Sequence, residues 1–203
     1  MTPARITRGR RSEAAIAGWL LKAAADPEIA KADWEEGRPA MLPLGGCFDA
    51  VKMQPDLVHA ATANTAPVQV CDALARLVDG PMVCHPGTWF YALVPAGTTE
   101  TWKSPDATVL GRGAWLGVPR LDSTRPASLL PYWAVPPKEV RQLCTPEVAD
   151  LLRAGVVPAD AGAAGALGAA PGPAGPLGGL RVVRRRLALR NGPGPARHGT
   201  GGP

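Results

Sequence analysis

One aspartate stands in the stretch LPLGGCFDAVKM, residues 42–53, after a Gly-Gly pair and three residues ahead of Lys52. Acidic side chains on a strand hold metals when two of them point the same way, and positions i and i+2 share a face. A pair of divalent cations needs several oxygen ligands to activate a nucleophile and stabilise a leaving group. Asp49 has Cys47 at i−2 and Val51 at i+2, while Lys52 points to the opposite face. Asp49 is therefore either a metal ligand in want of a partner, or a strand-end carboxylate hydrogen-bonded to nearby backbone or to Lys52. Asp106, at the start of ATVL, is the best available second carboxylate.

Other residue groupings carry less chemistry. Cys84 and His85 are adjacent, which on a strand sends a thiol and an imidazole to opposite faces. Cys47, Cys71, Cys84 and Cys144 lie far apart, without C-x-x-C or zinc-finger spacing, and read as reduced thiols of a cytoplasmic protein. Gly111-Arg112-Gly113 can offer amides and a guanidinium to a phosphate, or serve as a hairpin turn. It lacks the Lys-Ser/Thr of a P-loop. Arg112, Arg120 and Arg125 form either a local basic patch or a solvated rim. Of six tryptophans, Trp89, Trp102, Trp115 and Trp133 fall on or near expected strands, where they either stack on bases or fill a core with Trp19 and Trp34. Hydrolase triads, H-E-x-x-H and G-x-G-x-x-G are not found in the sequence.

The elements that must position these residues follow from periodicity and punctuation. Residues 12–25 place Ile16, Trp19, Leu20 and Ala23 at helical spacing behind a capping Ser12. A second helix is expected over 28–37 and others over 56–64 and 68–80. CFDAVKM reads as a strand with Cys47, Asp49, Val51 and Met53 on one face. PMVCH and TWFYALVP form a hairpin around Pro86-Gly87, and ATVL and AWLGV are two further strands joined by Gly111–Gly113. LLPYWAVPP supplies a last strand. TPEVADLLRAG closes with a helix capped by Thr145, with Pro146 at its first position and Gly155 as its stop. Helices first, strands in the middle and a closing helix predict an α+β fold, with a mixed or mainly antiparallel sheet flanked by helices.

Charge divides the 203 residues into three parts. Residues 1–11 carry four arginines and no acid, and residues 155–203 carry six arginines against Asp160. Residues 12–154 hold 12 bases and 16 acids, so the body is mildly acidic while the overall charge is +5. The expected organisation is a basic N-terminal extension over 1–11, one compact domain over 12–154, and a disordered basic tail over 155–203. Thirteen Gly, seven Pro and ten Ala among those last 49 residues leave too little apolar surface to offset ordering entropy. Within the tail, LRVVRRRLALR brings Arg184, Arg185 and Arg186 together, suited to phosphates or an acidic surface, or merely solvated. The chain holds no apolar run of 18 residues, so no membrane span is expected.

The body, from GWLLKAAADPEIAKADWEEG through PYWAVPP, resembles small actinobacterial proteins akin to the N-terminal domain of bifunctional DNA primase/polymerases, the prim-pol family. LPLGGCFDAVKMQP carries the likeness, together with GPMVCHPGTWFYALVPAGT and LGRGAWLGVPR. The resemblance implies a metal-dependent nucleotidyltransferase that uses Mg²⁺ or Mn²⁺ on clustered carboxylates, with Asp49 and Asp106 as ligands, Asp49 being the catalytic one, and a histidine on the triphosphate. This chain departs from that pattern at residue 51 and at its histidines: His59 and His85 lie outside a Ser-x-His context. The expectation is a catalytically degenerate domain that keeps nucleotide or nucleic-acid binding through Arg112, Arg120, Arg184, Arg185 and Arg186. The alternative is a non-catalytic protein-interaction module with accessory basic tails, needing no cofactor.

Overall fold

In the computed structural model, the described residues are 3–154 without 125, 127 and 128. Arg125 and the tail from 155 onward, with Arg184, Arg185 and Arg186, lie outside them. The first helix, α1, spans Pro3–Leu21. It begins well before the expected residue 12, so the basic stretch belongs to it and Ser12 sits inside the helix instead of capping it. Only Gly9 and Gly18 interrupt the helix formers there, and each costs about 1 kcal/mol against alanine, which a long helix tolerates. Helix α2, Pro27–Glu35, is capped as its sequence dictates: the Asp26 carboxylate accepts from the amides of Glu28 at 3.0 Å and Ile29 at 3.2 Å, ahead of Pro27 at the first position.

Strand β1, Ala40–Pro43, is followed by a bend at 44–47, and β2 then runs Asp49–Met53. The expected strand over 47–53 thus opens at Asp49, because the Gly45-Gly46 turn reaches two residues further than alternation suggests. Helices α3, Pro55–Thr62, and α4, Pro67–Leu77, each start on a proline. The expected hairpin is formed by β3, Met82–His85, and β4, Trp89–Val94, with Cys84 opposite Phe90 and His85 opposite Trp89. A four-residue helix, α5, Thr98–Thr101, was not anticipated. Strands β5, Thr108–Leu110, β6, Trp115–Val118, and β7, Tyr132–Val135, precede α6, Val148–Ala154. Helix α6 opens three residues after Thr145, so the expected cap and first-position proline lie in the turn ahead of it.

The fold is α+β, and every strand pairing is antiparallel. Five strands form one sheet in the order β5-β2-β4-β3-β7, while β1 and β6 make a separate two-stranded ribbon. Strands β5 and β6 are consecutive in the chain but sit in different sheets, so Gly111–Gly113 is a crossing between sheets and not a hairpin turn. Side chains alternate across the five strands. Val51, Met53, Met82, Cys84, Phe90 and Val94 pack with residues of α3, α4 and α6. Ala50, Val83, Tyr91, Leu93 and Trp133 pack with α1, α2 and the ribbon. Both faces are covered, which is why the strands read as almost unbroken apolar runs.

After β7 the chain returns across the end of α4. The Leu143–Thr145 stretch is pinned there: the Cys144 amide donates to the Leu93 carbonyl at 2.7 Å and the Thr145 amide to the Asp79 carboxylate at 3.2 Å. Gly80 lies beneath it, and a Cβ at that position would overlap the main chain of Leu143 and Cys144. Backbone on backbone has no rotamer escape. Gly80→Ala is expected to cost the upper end of the roughly 1–3 kcal/mol typical of overpacking, measured as a lowered urea midpoint. Gly46→Ala, where the added carbon meets nothing, should leave the midpoint near wild type. Equal midpoints for the two variants would contradict this account.

Candidate functional site

Asp49 opens β2 opposite Val94, the last residue of β4. From Val94 the chain turns through Pro95–Gly97, with Gly97 at a φ of +88°, and re-enters as α5, so that Thr99 comes back over Asp49. The Asp49 Oδ2 accepts the Thr99 amide at 3.2 Å. On the other flank lies Gly111, one residue beyond Leu110, which pairs with Ala50. A Cβ on Gly111 would stand 2.7 Å from Thr99 Cγ2 and 3.1 Å from Asp49 Oδ1, so glycine is what lets the chain close on the carboxylate. Asp49 is fully buried, and its Oδ1 has no hydrogen-bond partner in the structure. It faces away from Lys52, on the face of Val51 and Met53. Its partner is neither the nearby backbone nor Lys52 but an amide 50 residues ahead in the chain.

Asp106 does not join it. Thr108 pairs with Lys52, so Asp106 lies toward the far end of the β2–β5 ladder, five residues or roughly 16 Å away along the strand at ~3.3 Å per residue. There its carboxylate meets the Arg153 guanidinium at 2.8 Å. Among the described residues no three of His, Cys, Asp and Glu group as a metal site would require. The Mg²⁺ or Mn²⁺ that the resemblance implies is a poor match for these residues: one buried carboxylate, half engaged by an amide, is too few oxygens for a hard cation that favours six.

Among the described residues the arginines expected to contact nucleic acid do not converge on one patch either. Arg112 is exposed on the crossing between sheets. Arg120 donates through Nε to Asp122 at 2.6 Å, a paired arrangement that holds the Asp122 carboxyl below its usual range. Arg38, which composition alone does not single out, is bound to Asp33 at 2.7 Å and also to Glu36. Arg38 and Arg120 line one cleft of about 330 Å³ together with Trp34, Glu35, Asp122 and Tyr132. Each guanidinium there already has a carboxylate, so the cleft presents alternating charge and not a cationic field.

The aromatic residues divide three ways. Trp19, Trp34 and Trp133 are core. Trp89 is half-buried, with the Lys52 ammonium 3.8 Å from its ring centroid. Trp115 is 52% exposed. His85 leaves β3 on the face opposite Cys84, as alternation requires, and its ring lies 4.8 Å from that of Tyr91. Its Nε2 donates to the Gly117 carbonyl at 2.9 Å, which fixes the proton on Nε2. Burial pulls the His85 pKa below 6.5, only partly opposed by that hydrogen bond.

Comparison with protein-family models, with curated proteins and with solved structures finds no match. Two measurements probe this region. Asp49→Ala removes the acceptor for the part-buried Thr99 amide and is expected to cost about 1 kcal/mol, whereas Asp49→Asn, which retains an acceptor oxygen, should unfold close to wild type in urea. Loss of the same size in both would mean that the negative charge matters and not the hydrogen bond. His85 has a folded pKa below its unfolded one, so the unfolded chain binds more protons in that window and stability falls as pH drops below 6.5. His85→Gln should therefore flatten the fall in Tm as pH drops below 6.5. An unchanged slope would show that another group governs it.

Proposed function

We propose that the chain is a prim-pol-like domain without polymerase chemistry, whose remaining property is contact with nucleic acid or a nucleotide. The observation that carries this is the state of Asp49. It occupies the strand position where the resemblance calls for a metal ligand, yet Val51 follows at i+2, Asp106 is at the other end of the ladder on Arg153, and Oδ2 serves the Thr99 amide. Such a carboxylate holds loops together and leaves two-metal transfer without its ligands. Contact with bases would rest on Trp115 and on the Lys52–Trp89 pair, since aromatic faces accept any base and lysine adds phosphate attraction.

A second reading, a protein-interaction module, is favoured by the outer face of the ribbon. Met41 and Trp115, each 52% exposed, project from that face beside Pro43 and Gly117, and the arginines nearest it in sequence are tied to acids or stand singly. Exposed Met and Trp together are typical of protein contact surfaces.

Anisotropy of labelled single-stranded DNA with the full-length chain, between about 50 and 200 mM salt, separates the two. Affinity that falls with salt and drops roughly 5- to 150-fold in Trp115→Ala, the span expected of one lost stacking contact, supports nucleic-acid contact by the body. Affinity unchanged in Trp115→Ala and Lys52→Ala but abolished by replacing Arg184, Arg185 and Arg186 with alanine transfers the body to the protein-interaction class. Nucleotide incorporation with Mg²⁺ or Mn²⁺ that disappears in Asp49→Ala would overturn the loss of chemistry.

A further inference from the structure

Helix α1 is longer than its packing requires. Ile16, Trp19 and Leu20 are buried against α2 and the ribbon, but residues 9–15 are exposed without exception. An exposed run of that length passes through every side of a helix, so the helix has left the body there. Its axis continues back to Pro3. Residues 3–15 thus form an arm about 20 Å long at about 1.5 Å per residue.

The charge on this arm is almost all of one sign. Arg5, Arg8, Arg10 and Arg11 stand on it against Glu13 alone, and it holds no lysine. Positions 5, 8 and 11 follow at steps of three, which places them on one side of the helix. Like charges at that spacing weaken a helix, and over residues 9–15 no packing offsets the loss. Arg10 and Arg11 are both exposed, and among the described residues neither is held by a carboxylate, as Arg38, Arg120 and Arg153 are.

Charge, shape and composition together select the partner. A polyanion relieves the repulsion among the arginines, and guanidinium is the cation suited to phosphate and to the acceptor edge of guanine. An α-helix about 10–12 Å across fits the major groove of B-form DNA, which is about 12 Å wide. The deep, narrow major groove of duplex RNA does not admit it. A lipid surface is a poorer match, because Ile6 is the only large apolar residue from 3 to 15 and insertion needs an apolar face.

We propose that the arm formed by residues 3–15 of α1 binds duplex DNA, lying in the major groove with its arginines toward the flanking phosphates. This contact is separate from the single-strand contact proposed for Trp115 and Lys52: it needs neither residue, and each contact can fail without the other.

Anisotropy of a labelled DNA duplex with the full-length chain, between about 50 and 200 mM salt, tests the arm. Each neutralised phosphate adds roughly 0.9 to the slope of log affinity against log salt. Replacing all four, Arg5→Gln, Arg8→Gln, Arg10→Gln and Arg11→Gln, is expected to flatten the slope by about 3.6 and so remove about 150-fold of the fall across that range. Glutamine is comparable to arginine as a helix former, and the tail arginines are common to both chains, so the difference isolates the arm. Gly9→Pro keeps every charge but interrupts the helix, and should weaken binding at least about tenfold. Trp115→Ala should leave duplex affinity unchanged. The proposal is overturned if the glutamine variant keeps the wild-type slope, if Gly9→Pro binds as tightly as wild type, if Trp115→Ala costs as much as the arm variant, or if an RNA duplex or phosphatidylserine vesicles bind as well as the DNA. Should the fourfold variant lower the Tm, Arg10→Gln with Arg11→Gln, both at exposed positions, serves instead. A slope change of about 1.8 is then expected, and none at all is equally decisive against the arm.

Discussion

Two indole N–H groups set where the ribbon lies over the sheet. Trp34 of α2 donates to the Val118 carbonyl at 2.8 Å, and Trp133 of β7 donates to the next one, Pro119, at 3.2 Å. Both bonds are buried, so each is costly to leave unmade. Consecutive carbonyls of one strand end are thereby tied to a helix on one side and to the sheet on the other. With the ribbon so placed, Ala40, Leu42, Leu116 and Val118 cover the sheet face that carries Ala50, Val83, Leu93 and Trp133. The His85 bond to Gly117 adds a third fastening between sheet and ribbon. The tryptophan richness of a chain with few other aromatics has its main use here, as core filler that also brings a donor.

Much of this arrangement is legible in the sequence. Alternation gives the β3–β4 hairpin and the opposite directions of Cys84 and His85. Asp26-Pro27 announces the start of α2 through a cap and a fixed φ. What sequence periodicity does not carry is pairing between distant segments. Strand β6 joins β1, whose residues lie more than 70 positions earlier, and nothing local in AWLGV distinguishes that partner from the adjacent ATVL. Helix α1 extends past its expected start at residue 12 for a different reason: arginine is among the better helix formers, so the basic stretch continues the helix.

The candidate site divides along the same line. That Asp49 sits on the more apolar face follows from counting by twos. That its partner is the Thr99 amide depends on a turn after β4, signalled only by Pro-Ala-Gly followed by two threonines. The pairing of Asp106 with Arg153 and of Arg120 with Asp122 turns residues that look like ligands in a list into fasteners of the surface. Charge counted along a chain treats every ion as available, whereas folding has already matched many of them.

The packing around β2 also bears on what residue 51 can become. Val51, the position that would complete an i, i+2 acidic pair with Asp49, is fully buried among Met53, Val58 and Leu74. A carboxylate introduced there would enter hydrocarbon with no cation and no amide in wait, at a cost of several kcal/mol. A single substitution thus cannot build the pair, since the surrounding side chains would have to open first. The hydrocarbon around residue 51 leaves Asp49 as a lone acid on its face of the strand, whatever approaches the strand end.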